Sequence, residues 1–100
     1  MRKEIIDYFR NKKDEMIKTI SELVAVQSVR GTAEEGKPFG QKPYEALMLA
    51  LKKAESFGFK TGNCDGYAGT VDLNDGEQEL AILAHLDVVP AGEGWDTDPY

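Results

Sequence analysis

Two side chains with chemistry of their own stand two positions apart in the run Leu80-Ala81-Ile82-Leu83-Ala84-His85-Leu86-Asp87-Val88-Val89-Pro90. On an extended strand, side chains alternate between faces, so an imidazole at 85 and a carboxylate at 87 project together. A metal-ligating histidine uses that layout: one ring nitrogen goes to the metal, and a nearby carboxylate fixes the tautomer and orientation of the ring. The bland alternative is a histidine hydrogen-bonded to backbone, and His85, the only histidine of the chain, is by itself no metal site.

Other groups invite chemistry less well. Glu93, Asp96 and Asp98 do not follow the calcium-loop pattern of oxygen ligands at alternate positions around a central glycine. Gly31-Thr32-Ala33-Glu34-Glu35-Gly36-Lys37 mimics the start of a phosphate-binding loop. It is followed by Pro38 rather than a hydroxyl residue, lies after a helix rather than a strand, and sets two glutamates where phosphates would approach. Cys64 has no adjacent basic group to activate its thiol and reads as a small hydrophobe.

The residues around His85 go further. His85-Leu86-Asp87-Val88-Val89-Pro90, then Gly94-Trp95 and Asp98-Pro99, resemble the first metal motif of the co-catalytic zinc peptidase clan, which contains aminoacylases, carnosinases, desuccinylases and bacterial dipeptidases. Pro38-Phe39-Gly40 with Pro43, Ala46-Leu47, Gly58-Phe59 and Asp65-Gly66-Tyr67-Ala68-Gly69 extend the likeness from about Leu23 onward. Within the clan the chain most resembles the PepV-like dipeptidases.

That resemblance implies amide hydrolysis of small dipeptides by two divalent ions, zinc first and manganese as the alternative, about 3.5–4 Å apart. His85 is then a ligand of one ion and Asp87 the catalytic carboxylate that orients its ring. The bridging aspartate, glutamate base, remaining ligands and second histidine of the family match nothing here. These 100 residues alone are therefore expected to bind metal weakly and turn over nothing. The same resemblance leaves open a deacylase acting on N-acyl amino acids. A non-catalytic domain that binds a partner is the competing reading from another class. In the family's Asp-Pro pair, Asp98 is expected to form a turn, and Trp95 to bury its indole against the base of its loop.

The elements that must position these groups read as α/β. Ile5, Ile6, Phe9, Met16, Ile17, Ile20, Leu23 and Val24 recur at helical spacing, but Lys13 interrupts the stripe. One long amphipathic helix that bends or breaks between Asn11 and Asp14 is expected. A second helix is expected from Pro43, which suits a first turn, to Gly58, with Met48 and Leu49 widening its apolar face enough to bury it on more than one side.

Tyr67 to Leu73 alternates as a half-buried strand, Lys60 to Cys64 reads as a weaker one, and Asn74-Asp75-Gly76 as a turn joining antiparallel strands. Leu80 to Leu86 lacks polar alternation before His85, the pattern of a strand covered on both faces and so internal to a sheet. Two helices with two or three strands supply few neighbours for a central strand. The family implies a three-layer α/β/α catalytic domain, with a further inserted domain, of which residues 1–100 are the first part. An unpaired sheet edge would leave self-association as one way to cover it.

Composition agrees with a folded, water-compatible protein: 41% hydrophobic and 30% charged residues. A formal net charge of −6 argues against nucleic acid and gives no support to an anionic membrane surface as partner. The first ten residues interleave charges without a signal-type apolar core, and the longest apolar run, Ala46 to Leu51, is six residues. With a single cysteine, these features point to the cytoplasm.

Overall fold

A computed structural model describes residues 1–100. Helix α1 (Arg2–Asn11) and helix α2 (Lys13–Val24) are followed by helix α3 (Gln41–Ser56) and strands β1 (Lys60–Cys64) and β2 (Ala68–Asp72). The expected N-terminal helix is thus two. The break falls on Lys12 (φ −97°, ψ 4°), whose N–H is shared between the carbonyls of Tyr8 at 3.1 Å and Phe9 at 3.2 Å. Its ammonium meets Glu15 at 3.0 Å in the first turn of α2.

α3 begins two residues before Pro43, which sits in the first turn where its missing N–H leaves no intrahelical bond unmade. It ends at Ser56, with Gly58 at φ 88° just beyond. Ala46, Leu47 and Leu51 are its buried residues, all on one stripe. Met48 is exposed and Leu49 only half-buried, so the helix packs on one side rather than on several. Nothing in the chain covers its second face.

β1 and β2 form an antiparallel hairpin with Lys60 opposite Asp72 and Cys64 opposite Ala68. Its turn is Asp65-Gly66. Both central residues have positive φ, 52° and 76°, and the Tyr67 N–H closes the turn on the Cys64 carbonyl at 2.9 Å. The hairpin lies on α3 through Gly69. A Cβ there would stand 2.7 Å from Leu51 Cδ2 and 2.9 Å from Leu47 Cδ1, so only glycine lets strand and helix come this close. Asn74 makes a smaller turn, its side-chain oxygen accepting from Gly76 N at 2.9 Å, but no paired strand follows it.

The largest departure is the run Leu80 to Leu86. It forms no strand, and Ile82 and Leu83 are 85% and 91% exposed. A strand exists through the backbone groups of its neighbours. The only sheet here is the two-stranded hairpin, and neither of its edges pairs with this run. The expected central strand is therefore corrected to an irregular segment, and the chain shows three helices and two strands, a small mixed α/β unit. α2 is tied to α3 by the Glu22–Lys53 ion pair, and that hydrogen bond holds the Glu22 carboxyl below its ordinary range.

Candidate functional site

His85 and Asp87 sit at the end of the irregular segment, where the chain regains a fixed path. Ser28, beyond the end of α2, donates its hydroxyl to the Leu86 carbonyl at 2.6 Å. The Val88 N–H in turn donates to the Ser28 carbonyl at 3.2 Å, and Val29 and Val88 form a single parallel bridge. Leu86 to Val88 is thereby pinned alongside residues 28 and 29, while residues 80–84 before it stay unpaired.

Within this pinned stretch the two chemically active residues meet. His85 Nδ1 lies 2.9 Å from the backbone carbonyl of Asp87 and 3.4 Å from its carboxylate Oδ1. A carbonyl only accepts, so Nδ1 carries a proton and donates, and in the neutral ring Nε2 is the nitrogen with the lone pair. The nearer orienting group is the carbonyl of Asp87, with its carboxylate second. The ring is not packed into a core: its side chain is 83% exposed.

His85 faces two clefts. One, of about 430 Å³, is lined by Phe39, Leu47, Tyr67 and Gly69 from the α3–hairpin unit and by Asp87. Arg30 also lines it, its guanidinium 5.7 Å from the centre of the Phe39 ring, which meets Tyr67 edge-on at 5.6 Å. The other, of about 400 Å³, is lined by Leu23, Ser28, Val88, Trp95 and Tyr100.

The donor set fits one ligand position rather than a whole metal centre. No group of three or more His, Cys, Asp or Glu side chains is close enough to hold an ion, and a catalytic zinc needs three protein ligands. His85, with one nitrogen engaged and the other carrying a lone pair, is suited to be one of them.

The remaining residues singled out by sequence fall elsewhere. Trp95 donates Nε1–H to the Ala91 carbonyl at 2.9 Å, so its polar edge is anchored to its own loop. Its indole nevertheless stays more than half exposed, against the expected burial. Asp98 accepts from Tyr100 N at 3.0 Å, a local turn. Cys64 is exposed at the hairpin end, not buried as a small hydrophobe. In the phosphate-loop lookalike, Glu34 and Lys37 pair their backbones with each other at 3.0 and 3.1 Å. The Lys37 ammonium is held by Gln41 at 2.6 Å and Glu34 at 3.5 Å, so neither amides nor lysine are presented to a phosphate. Ser28 went unremarked in the sequence. Its only signal there is a hydroxyl residue between Gln27 and Val29, beyond an amphipathic helix.

Comparison with known proteins finds relatives over most of the chain. Over nearly nine-tenths of its length the chain is similar to bacterial proteins described as dipeptidases. It is 43% identical over 91 residues to the Beta-Ala-Xaa dipeptidase of Lactobacillus delbrueckii subsp. lactis, covering 89% of this chain and 19% of that protein. It is 40% identical over 91 residues to the "Putative dipeptidase YtjP" of Bacillus subtilis, covering 89% of this chain and 20% of that protein. A Staphylococcus aureus protein of the same description is 40% identical over 90 residues, 88% of this chain and 19% of its own. The chain thus spans about a fifth of the length of the curated relatives it matches. No family model matches it. No helix is long and apolar enough to cross a membrane.

Proposed function

We propose that this chain is the opening part of a cytoplasmic, metal-dependent dipeptidase, to whose two-ion centre it contributes His85 as a ligand through Nε2 and Asp87 as the group that orients the ring. The observation that carries the reading is the 43% identity over 91 residues to a dipeptidase, running through the His85–Asp87 pair. Bound divalent ions, zinc first and manganese as the alternative, supply Lewis acidity and lower the pKa of the attacking water.

The part of these residues is narrower. The Asp87 carbonyl holds the Nδ1 proton, so that Nε2 of the neutral ring would be the nitrogen offered to an ion, and the Asp87 carboxylate stands second to that carbonyl at 3.4 Å from Nδ1. Leu80 to Leu86 is the central strand of a three-layer α/β/α domain in this reading. Its continuous apolar character and its exposure here both call for sheet neighbours from the four-fifths of the relatives' length that lies outside the match.

Assay of the full-length protein, loaded with Zn²⁺ or Mn²⁺, on dipeptides and on N-acyl amino acids tests the proposal. Hydrolysis of dipeptides is expected. Hydrolysis of N-acyl amino acids alone would reassign the protein as a deacylase, and hydrolysis of neither would favour a non-catalytic binding domain.

A further inference from the structure

The stretch bearing His85 and Asp87 has no sheet around it, yet it has a defined place, and one side chain accounts for most of that. Ser28 is the one buried side chain with a polar group, at 2% exposure. Its hydrogen bond to Leu86 joins residues 58 positions apart, the longest reach of any side chain here, beyond even the Glu22–Lys53 contact between α2 and α3. The bond lands on the peptide between the two chemically active residues.

The Ser28 carbonyl then receives the next N–H along, from Val88. Side-chain donor and main-chain acceptor of one residue therefore grip both sides of Asp87. Because successive side chains alternate in an extended chain, a slip of one residue in this grip would turn His85 and Asp87 to the opposite side. A buried hydroxyl left without its acceptor is costly, which penalises such a slip.

We infer that Ser28 is a positioning residue for the metal ligand: it sets the register of residues 86–88 and thereby the direction in which the His85 ring and its Asp87 partner point. It touches neither ion nor substrate and acts only through the backbone of the segment it holds. The inference rests on the metal-ligand reading of His85 given above.

The test uses the full-length protein with Ser28→Ala, which removes the hydroxyl and keeps the main-chain acceptor, and Ser28→Thr, which restores the hydroxyl. Ser28 borders the 400 Å³ cleft. Two quantities are read: hydrogen exchange by mass spectrometry over residues 84–90, and affinity for Zn²⁺ alone.

Ser28→Ala is expected to speed exchange in that peptide about 2- to 10-fold, the range one net hydrogen bond supports, with α3 and the hairpin unchanged. Zn²⁺ affinity should fall about 10-fold, the lower end for a group that holds a ligand in place. Ser28→Thr should recover both. Unchanged exchange at 84–90, faster exchange spread through α3 and the hairpin, unaltered Zn²⁺ affinity, or failure of Ser28→Thr to recover would each overturn the inference. A His85→Ala protein that binds Zn²⁺ as tightly as the parent would instead refute the metal reading beneath it. The exchange comparison would still show whether Ser28 fixes the segment.

Discussion

The α3–hairpin unit is poorer in apolar residues than the segment from Leu80 to Val89, yet it is the unit that buries them. In the first, Leu47 and Leu51 are buried under Gly69, and each strand satisfies its partner's backbone. In the second, Leu80, Ile82, Leu83 and Val89 all face outward, and order begins only where Ser28 reaches Leu86. Hydrophobicity alone does not make a core. Sequence-adjacent elements can bury one another at once, whereas a central strand waits for partners from distant parts of a chain. His85 and Asp87, the residues proposed to act at the metal centre, stand on the exposed half.

The comparison predicts a graded set of effects. The largest belongs to His85→Ala in the full-length protein, which should lower kcat/KM on dipeptides by more than about 100-fold, beyond the ceiling for a residue that merely steadies a ligand. A loss below tenfold would detach the segment from catalysis. On the packed side, Leu51→Ala should destabilise the 100-residue chain by about 2–5 kcal/mol in denaturant unfolding, since it empties the contact beneath Gly69.

Leu83→Asp sharpens the contrast because its effect depends on context. In the 100-residue chain, with Leu83 91% exposed, the change should stay within about 0.5 kcal/mol and reduce self-association in sedimentation. In the full-length protein, if the segment is a covered strand, the same charge should cost about 3–5 kcal/mol or prevent folding. Equal effects in the two would mean that the segment is never covered.

The smallest effect is that of pH on the α2–α3 contact. The hydrogen bond from Lys53 lowers the Glu22 carboxyl below its ordinary value of 4.5. A carboxylate with a depressed folded-state pKa contributes stability that is complete above its unfolded value and is lost as pH falls through the folded one. Contacts between α2 and α3, followed by nuclear Overhauser effects, should therefore weaken only below about pH 4.5, and Lys53→Met should abolish that dependence.

Local features were legible in the sequence where local physics decides them. Lys13 interrupting an apolar stripe foretold the break, found at Lys12, and Gly58 marked the end of α3. The alternation from Tyr67 to Leu73 located β2. The hairpin turn was available in Asp65-Gly66, a pair suited to two successive positive φ angles. The apolar run at 80–86 reads as a strand because its composition speaks of burial, while pairing is a property of neighbours that composition does not contain. The meeting of His85 with Asp87 followed from a spacing of two, but the nearer contact, to the Asp87 carbonyl, is a matter of backbone direction. Ser28 was not legible, since nothing in a serine's own surroundings names a carbonyl 58 residues away.

Glycine is a poor strand former, and a designer improving β2 would begin by replacing the one at 69 with valine or threonine. Here that remedy would be the injury. The missing side chain determines how thick the layer between sheet and helix is, so local preference has been given up in exchange for nearness. Whatever adds further strands to this hairpin inherits the spacing set by an absent methyl group.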